Sequence, residues 1–406
     1  MSKDRIILHC DLNNFYASVE CLKNPSLTGA VAVCGDPEKR HGVVLAKNEE
    51  AKKYSVKTGD TVIEAKRKCP SITFVKTSFA DYEIYSKKVF AIYERFTDMV
   101  EPFGSDECWL DCTNSTALFG NGEQIANILR QTIKKEIGLT ISVGVSFNKI
   151  FAKLGSDLKK PDATTVITRE NFKSKIWKLP ASSMLMVGRK TGEKLSKLGI
   201  NTIGDLAQTD EDFLKSVFGI NGVKMRQAAA GENTDEVRKS YIPHQNKSFG
   251  HGMTTLKDLT TIKDAETVIG YLAERIALRL SKAGVRGYGI SLSIRFSDLT
   301  HKSKHTKLST AIFSSMEITS NSMILLKDIW DLKPLRSLTV SIFDITQQEQ
   351  LSMFDNESHI KNEKLELALE HIRQKYGRDK IKIANLIETE YIYDKNDAED
   401  FLPFKR

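Results

Sequence analysis

Along the first 165 residues, short apolar runs alternate with stretches whose apolar positions recur every three or four residues. "IILHCDL", "AVAVCG", "GVVLAKN" and "LTISVGVS" have the length and β-branched content of strands. "NNFYASVECL" follows the first of them as a helix. Residues 79–100 read as a long helix, with Tyr82, Tyr85, Val89, Ile92 and Phe96 along one stripe. "VEPFGSDECWLDCT" then reads as two short strands turning at Gly104. Residues 121–137 form a further helix ending at Gly138, and "FNKIFAKLGSDLKKP" another, stopped by Pro161. Such alternation predicts an α+β or α/β layer domain.

The pattern changes after that. Residues 166–235 read as short helices punctuated by glycine. "MLMVGRKTGEKLSKLGI" and "LKSVFGINGVKMRQAAAGE" each place a glycine turn between helical stretches, with basic residues close by. Backbone N–H groups at the next helix suit such turns to a phosphate, in the manner of a helix-hairpin-helix. Gly188, Arg189, Lys190, Gly222 and Lys224 are the DNA-contact candidates; ordinary capped turns between packed helices are the plainer alternative. Residues 236–248 are polar and aperiodic, as in a linker. Residues 249–345 resume an α/β pattern, with a helix near 264–283 and strands at "YGISLSIRFS" and "RSLTVSIFDIT". In the first of these strands Ile290, Leu292, Ile294 and Phe296 alternate with Ser291, Ser293, Arg295 and Ser297. One face is therefore buried, and the other, with Arg295, is a solvated surface or a seat for a phosphate backbone.

Composition narrows the picture. The 406 residues exceed one ordinary domain. No apolar run is long enough for a membrane span or a signal peptide, which predicts a cytoplasmic protein with no membrane partner. All six cysteines fall at or before Cys112, without C-x-x-C pairs, and read as reduced thiols. The net charge is +8, and residues 236–345 carry 16 Lys and Arg against 10 Asp and Glu. That local excess suits a polyanion.

The carboxylates bear the chemistry. Asp11 closes the first strand, while Asp106 and Glu107 stand side by side in an apolar run. Acids at strand ends that converge across a sheet suit Mg²⁺, which takes oxygen ligands. Spacing alone leaves a second reading open: Asp11 caps the next helix, and the pair are turn residues matched to Lys or Arg.

"DLNNFYASVE", "SDECWLD" and "SVGVSFNKIFAKLGSDLKKP", in that order, resemble the signature blocks of Y-family translesion DNA polymerases. The nearest branch is UmuC-like, of the Gram-positive UV-damage-repair type: Asn13 stands where the DinB-like branch has a second Asp. The resemblance spans residues 5–345. It implies an α+β multidomain right-handed polymerase: palm at 1–20 and 76–165, small fingers at 21–75, helix-hairpin-helix thumb at 166–235, linker at 236–248, α/β little finger at 249–345 and a tail at 346–406. It implies two Mg²⁺ ions on Asp11, Asp106, Glu107 and the Leu12 carbonyl, with Asp106 bridging and Glu107 on the primer-side ion. Tyr16 falls at the steric gate against ribonucleotides. Lys52, with Lys53 as the alternative, and Lys160 fall where cations meet the triphosphate. Ser146 and Lys149 are less diagnostic. Two departures stand out. Glu49 replaces a tyrosine of DinB-like relatives, and Gly104-Ser105 replaces a Ser-Ile pair before the acids.

In the tail, Gln350, Leu351, Met353 and Phe354 of "QLSMF" resemble the bacterial sliding-clamp motif. Leu365, Ala368, Leu369, Ile372 and Tyr376 then trace an amphipathic helix. The expected partners are primer-template DNA, dNTP and the clamp, with accessory subunits as in some UmuC-like systems, around a monomeric chain. Two rivals share the acids or the fold: a two-metal nuclease and a catalytically silent DNA-binding regulator.

Overall fold

The computed structural model describes residues 4–35, 37, 42–239 and 246–347, with single positions between 365 and 391. They form two compact units that divide between residues 243 and 244.

The first unit is built on β1 (Ile7–Leu12), every residue of which is buried, followed by α1 (Phe15–Lys23). Next come β2 (Val31–Cys34), β3 (Val44–Lys47), α2 (Glu49–Lys53), α3 (Val62–Lys68) and β4 (Thr73–Lys76). Their three strands make a separate small sheet ordered β3-β2-β4, with its own core of small residues such as Ala32, Val44, Ala51 and Ala65. α4 (Phe79–Tyr93) returns the chain to the main layer. It is shorter than the periodicity predicts: Phe96 is buried just beyond its end, and Val100 already belongs to a strand. β5 (Val100–Pro102), β6 (Glu107–Asp111), α5 (Thr116–Phe119), α6 (Gly122–Glu136), β7 (Ile141–Ser146), α7 (Lys149–Leu158) and β8 (Thr164–Val166) complete it.

The main sheet has the order β5-β6-β1-β7-β8, so β1 is the central strand. Its pleat sorts side chains by face. Leu8, Cys10, Leu12, Cys108 and Leu110 join a core that includes Tyr82, Val89, Ile125 and Leu129 of α4 and α6. The alternate residues His9, Glu107 and Trp109 meet α7 instead, through Ser156, Lys153 and the Lys149 carbonyl, and Asp11 meets Lys160 just beyond its end. α7 can lie this close because Gly144 faces it. A Cβ there would stand 1.9 Å from the Ala152 carbonyl oxygen.

The unit ends in helices α8 (Phe172–Ile176), α9 (Arg189–Lys197), α10 (Ile203–Gln208), α11 (Glu211–Phe218) and α12 (Ile220–Ala230), which share a core containing Ile176, Leu195, Leu206, Leu214 and Met225.

The second unit runs β9 (Ser248–Leu259), α13 (Ile262–Ala283), β10 (Arg286–Phe296), β11 (His301–Ile312), α14 (Ser315–Ile329) and β12 (Leu335–Thr346). Its antiparallel sheet is ordered β11-β10-β12-β9. Ile290, Leu292, Ile294 and Phe296 bury against residues of α13 and α14, as their alternation predicts. Ser291, Ser293 and Arg295 lie opposite Ser341, Thr339 and Ser337 of β12, making a polar face with Arg295 exposed. In the tail, the described positions from 365 to 376 are helical. Gln350, Leu351, Met353 and Phe354 lie outside the described residues.

Candidate active site

The three acids gather at one end of the central strands. Asp11 is the penultimate residue of β1 and lies directly opposite Glu107 in the antiparallel ladder. Asp106 precedes the first residue of β6, and its carbonyl oxygen accepts the Leu12 amide at 3.0 Å. Adjacent residues within a strand would point to opposite faces, but only one of the two acids lies in the strand. Glu107 obeys the pleat, whereas Asp106 belongs to the turn before it.

That turn depends on Gly104. Its φ of 119° lies in a region costly for other residues, and a Cβ there would come within 3.4 Å of the Asp106 Oδ1 atom. Ser105 is buried beside it. Its hydroxyl stands 3.4 Å from both the Tyr16 phenol and Asp106 Oδ1, and Ser86 donates to its carbonyl at 2.6 Å. The Gly-Ser departure thus links the gate position to an acid.

Tyr16 lies on α1 with its ring stacked on Tyr82, 4.2 Å between centroids, and edge-on to Phe79. Tyr82 is itself anchored by its hydroxyl, which donates to the buried Glu20 at 2.7 Å. The ring of Tyr16 is therefore held in place and does not rotate freely.

Each of two acids has a lysine partner from the α7 region. Lys160 meets Asp11 at 2.7 Å and Asp157 at 2.9 Å; Lys153 meets Glu107 at 2.6 Å. Burial pushes the Asp11 carboxyl up to about 6 despite Lys160, and Glu107 and Asp106 add repulsion. Burial and Glu107 likewise raise Asp106. Burial also opposes ionisation of Glu107, but His9 and Lys153 outweigh it and hold that carboxyl at about 2. Two raised carboxyls side by side mark a shortage of positive charge. The donor set, oxygen throughout, fits a hard divalent cation that would supply it. Among the described residues, no three Asp, Glu, His or Cys side chains converge tightly enough to hold an ion as they stand.

Around the acids, Asn13 is buried and used at both ends: it donates to Ser142 at 2.9 Å and accepts the Asp162 amide at 2.8 Å. Asn14 donates to Glu49 at 2.7 Å, and the same Glu49 oxygen accepts from Lys52 at 2.7 Å. Glu49 therefore ties Lys52 toward the end of β1, whereas Lys53 pairs with Glu50 in solvent. Lys149 is occupied by Glu101 at 2.7 Å, and Ser146 donates to the Ile167 carbonyl.

One protein family matches both parts of the chain. The impB/mucB/samB family matches residues 10–157, and its C-terminal domain matches residues 246–353. A protein named DNA polymerase IV from Acetivibrio thermocellus is 45% identical over 381 residues, which is 92% of this chain and 95% of that one. The chain belongs to the Y family of DNA polymerases. Another DNA polymerase IV, from Clostridium acetobutylicum, is 34% identical over 95% of this chain and 99% of its own. A solved structure of a Y-family polymerase chimera of Dbh and Dpo4 superposes with a TM-score of 0.75 at 26% identity, covering 84% of this chain and all of that one. As a Y-family enzyme it has the expected α+β polymerase architecture with a C-terminal sheet domain. The narrower UmuC-like assignment finds no support in these names, since both curated relatives are called DNA polymerase IV.

In this Y-family chain the candidate DNA contacts fare unequally. Gly188 caps α9, and Arg189 and Lys190 are exposed at its start. Lys224 is exposed on α12. Gly222 is a correction. The turn glycine is Gly219, between α11 and α12, with a φ of 63°. Gly222 is buried inside α12, where a Cβ would stand 2.2 Å from the Leu214 carbonyl oxygen. Its work is close helix packing. His9 and Lys153, the partners of Glu107, escaped the sequence reading: one hides in an apolar strand and the other in an amphipathic helix, and only the fold brings them to an acid.

Proposed function

We propose that this Y-family DNA-directed DNA polymerase performs translesion synthesis with Asp11, Asp106 and Glu107 as its catalytic acids. The observation that carries this is the register of β1 and β6, with Asp11 opposite Glu107 and Asp106 in the turn beside them. The three acids, with the Leu12 carbonyl, would hold two Mg²⁺ ions. When bound, such ions activate the primer 3′-hydroxyl and neutralise the leaving pyrophosphate.

The chain's own groups do the rest. Asp106, presented from the turn before β6, would help Asp11 hold the ions, and repulsion from Glu107 adds to burial in raising its carboxyl. Glu107 serves the primer side. Lys160, paired with Asp11 at 2.7 Å, would meet the triphosphate. Lys52, steered by Glu49, meets the triphosphate from the small β3-β2-β4 unit. Tyr16, locked by Tyr82, presents its ring beneath the sugar and excludes a 2′-hydroxyl. Residues 21–75 form the fingers and residues 166–235 the thumb, where Arg189, Lys190 and Lys224 meet phosphates. Arg295, on the polar face of the second unit's sheet, meets the template duplex. The peptide from Gln350 to Phe354 docks on the sliding clamp.

Primer extension across a defined lesion tests the proposal. Lengthening that depends on dNTP is expected. Shortening of the labelled strand without dNTP-dependent growth would favour the nuclease.

A further inference from the structure

His9 stands so far only as a neighbour of Glu107. It is fully buried in the central strand, two residues before Asp11 and on the same face. Its Nδ1 atom lies 2.8 Å from the Ser156 hydroxyl, and Ser156 is itself fixed by a 2.8 Å hydrogen bond to the Lys153 carbonyl. Trp109 packs edge-on against the ring at 5.2 Å. The ring therefore cannot turn without disturbing α7. Its other nitrogen, Nε2, has no hydrogen-bond partner and faces Glu107 Oε2 at 3.5 Å. A buried ring nitrogen left unpaired is costly. When the Ser156 hydroxyl turns its proton to Nδ1 instead, Nε2 carries the ring hydrogen, and a shift of about half an ångström by Glu107 would let Nε2–H donate to its carboxylate.

Lys153 holds the same Glu107 oxygen at 2.6 Å, and its backbone carbonyl anchors Ser156. One turn of α7 thus sets both the lysine and, through Ser156, the imidazole. We infer that His9 is a positioning residue: with Ser156 behind it, it fixes the orientation in which Glu107 is presented to the divalent cation once Lys153 yields the carboxylate. This rests on the reading of Glu107 as a ligand. Partners behind a ligating side chain commonly govern its affinity in this way.

The test is Mn²⁺ binding to the full-length chain on primer-template DNA with a non-hydrolysable dNTP, followed by loss of the free-ion electron paramagnetic resonance signal. His9→Phe keeps a ring in the cavity and removes both nitrogens. It is expected to weaken Mn²⁺ binding about tenfold, with the affinity for primer-template DNA unchanged. His9→Gln, whose amide reaches the Nε2 position, is expected to restore most of the loss. Ser156→Ala, which frees the ring without removing it, is expected to fall between. Should His9→Phe melt the protein, Ser156→Ala and His9→Gln carry the test. Normal Mn²⁺ affinity in His9→Phe, beside a clear loss in Glu107→Gln, would overturn the inference and leave Glu107 a ligand. Normal affinity in Glu107→Gln would overturn the ligand reading, and this inference with it. Equal losses in His9→Phe and His9→Gln that track their melting temperatures would reduce His9 to a packing residue.

Discussion

At the scale of single residues, the site is a balance of buried charge. Asp11 and Asp106 are raised by burial and by the charge of Glu107, and Lys160 and Lys153 answer only part of that charge. The acids themselves were legible in the sequence because paired carboxylates in apolar company demand a partner. The lysine partner of Glu107 was not, because Lys153 on an amphipathic helix looks the same whether it meets water or an acid. The Gly104-Ser105 departure was legible as an anomaly, and the fold supplies its reason: Gly104 takes a φ of 119°, and Ser105 stands between Tyr16 and Asp106. The locked Tyr16 ring gives the first prediction. Tyr16→Ala should lower discrimination against ribonucleotides by about 10- to 100-fold, the range open to a steric pocket. Single-nucleotide incorporation with matched rNTP and dNTP reads this directly, and unchanged selectivity would remove Tyr16 from the gate.

At the scale of elements, periodicity found the strands and helices with a clear apolar stripe, including β1, β7, α6, β10 and β12. It missed β11, whose sequence "HKSKHTKLSTAI" is polar on both faces. An edge strand needs little burial, and lysines along it discourage pairing with another chain. Periodicity also overran α4, because Phe96 and Val100 continue a helical spacing from a turn and a strand. Gly222 was misread for a similar reason. A glycine in a turn and a glycine at a helix contact look alike in sequence, and only the 2.2 Å approach to the Leu214 carbonyl tells them apart. Gly222→Ala should therefore destabilise the packing of α11 on α12 by about 1–3 kcal/mol, as overpacked contacts do. Denaturant unfolding of the full chain measures this. An unchanged midpoint would mean that the helices separate without strain.

At the scale of the whole molecule, the described residues form two compact units. The first holds the three acids, Tyr16 and the glycine turns; the second has a polar sheet face with Arg295. No helix among the described residues is long and apolar enough to cross a membrane. The tail motif at Gln350–Phe354 gives a prediction at this scale. Replacing Leu351 and Phe354 with Ala should weaken binding to a purified bacterial sliding clamp by at least about 30-fold, as expected for two anchor residues. Equal affinity by calorimetry would refute the motif. Order and spacing of blocks along the chain made the family legible, while the pairing of His9, Ser156 and Lys153 behind Glu107 emerged only from the packing of α7 on β1. The central claim, that Asp11, Asp106 and Glu107 form the catalytic centre of a polymerase, is tested most directly by primer extension with Asp106→Ala. The rate of nucleotide addition should fall by roughly a thousandfold, the worth of several kcal/mol of lost cation stabilisation, while primer-template binding in the same preparation stays intact. Undiminished extension by this variant would contradict the account.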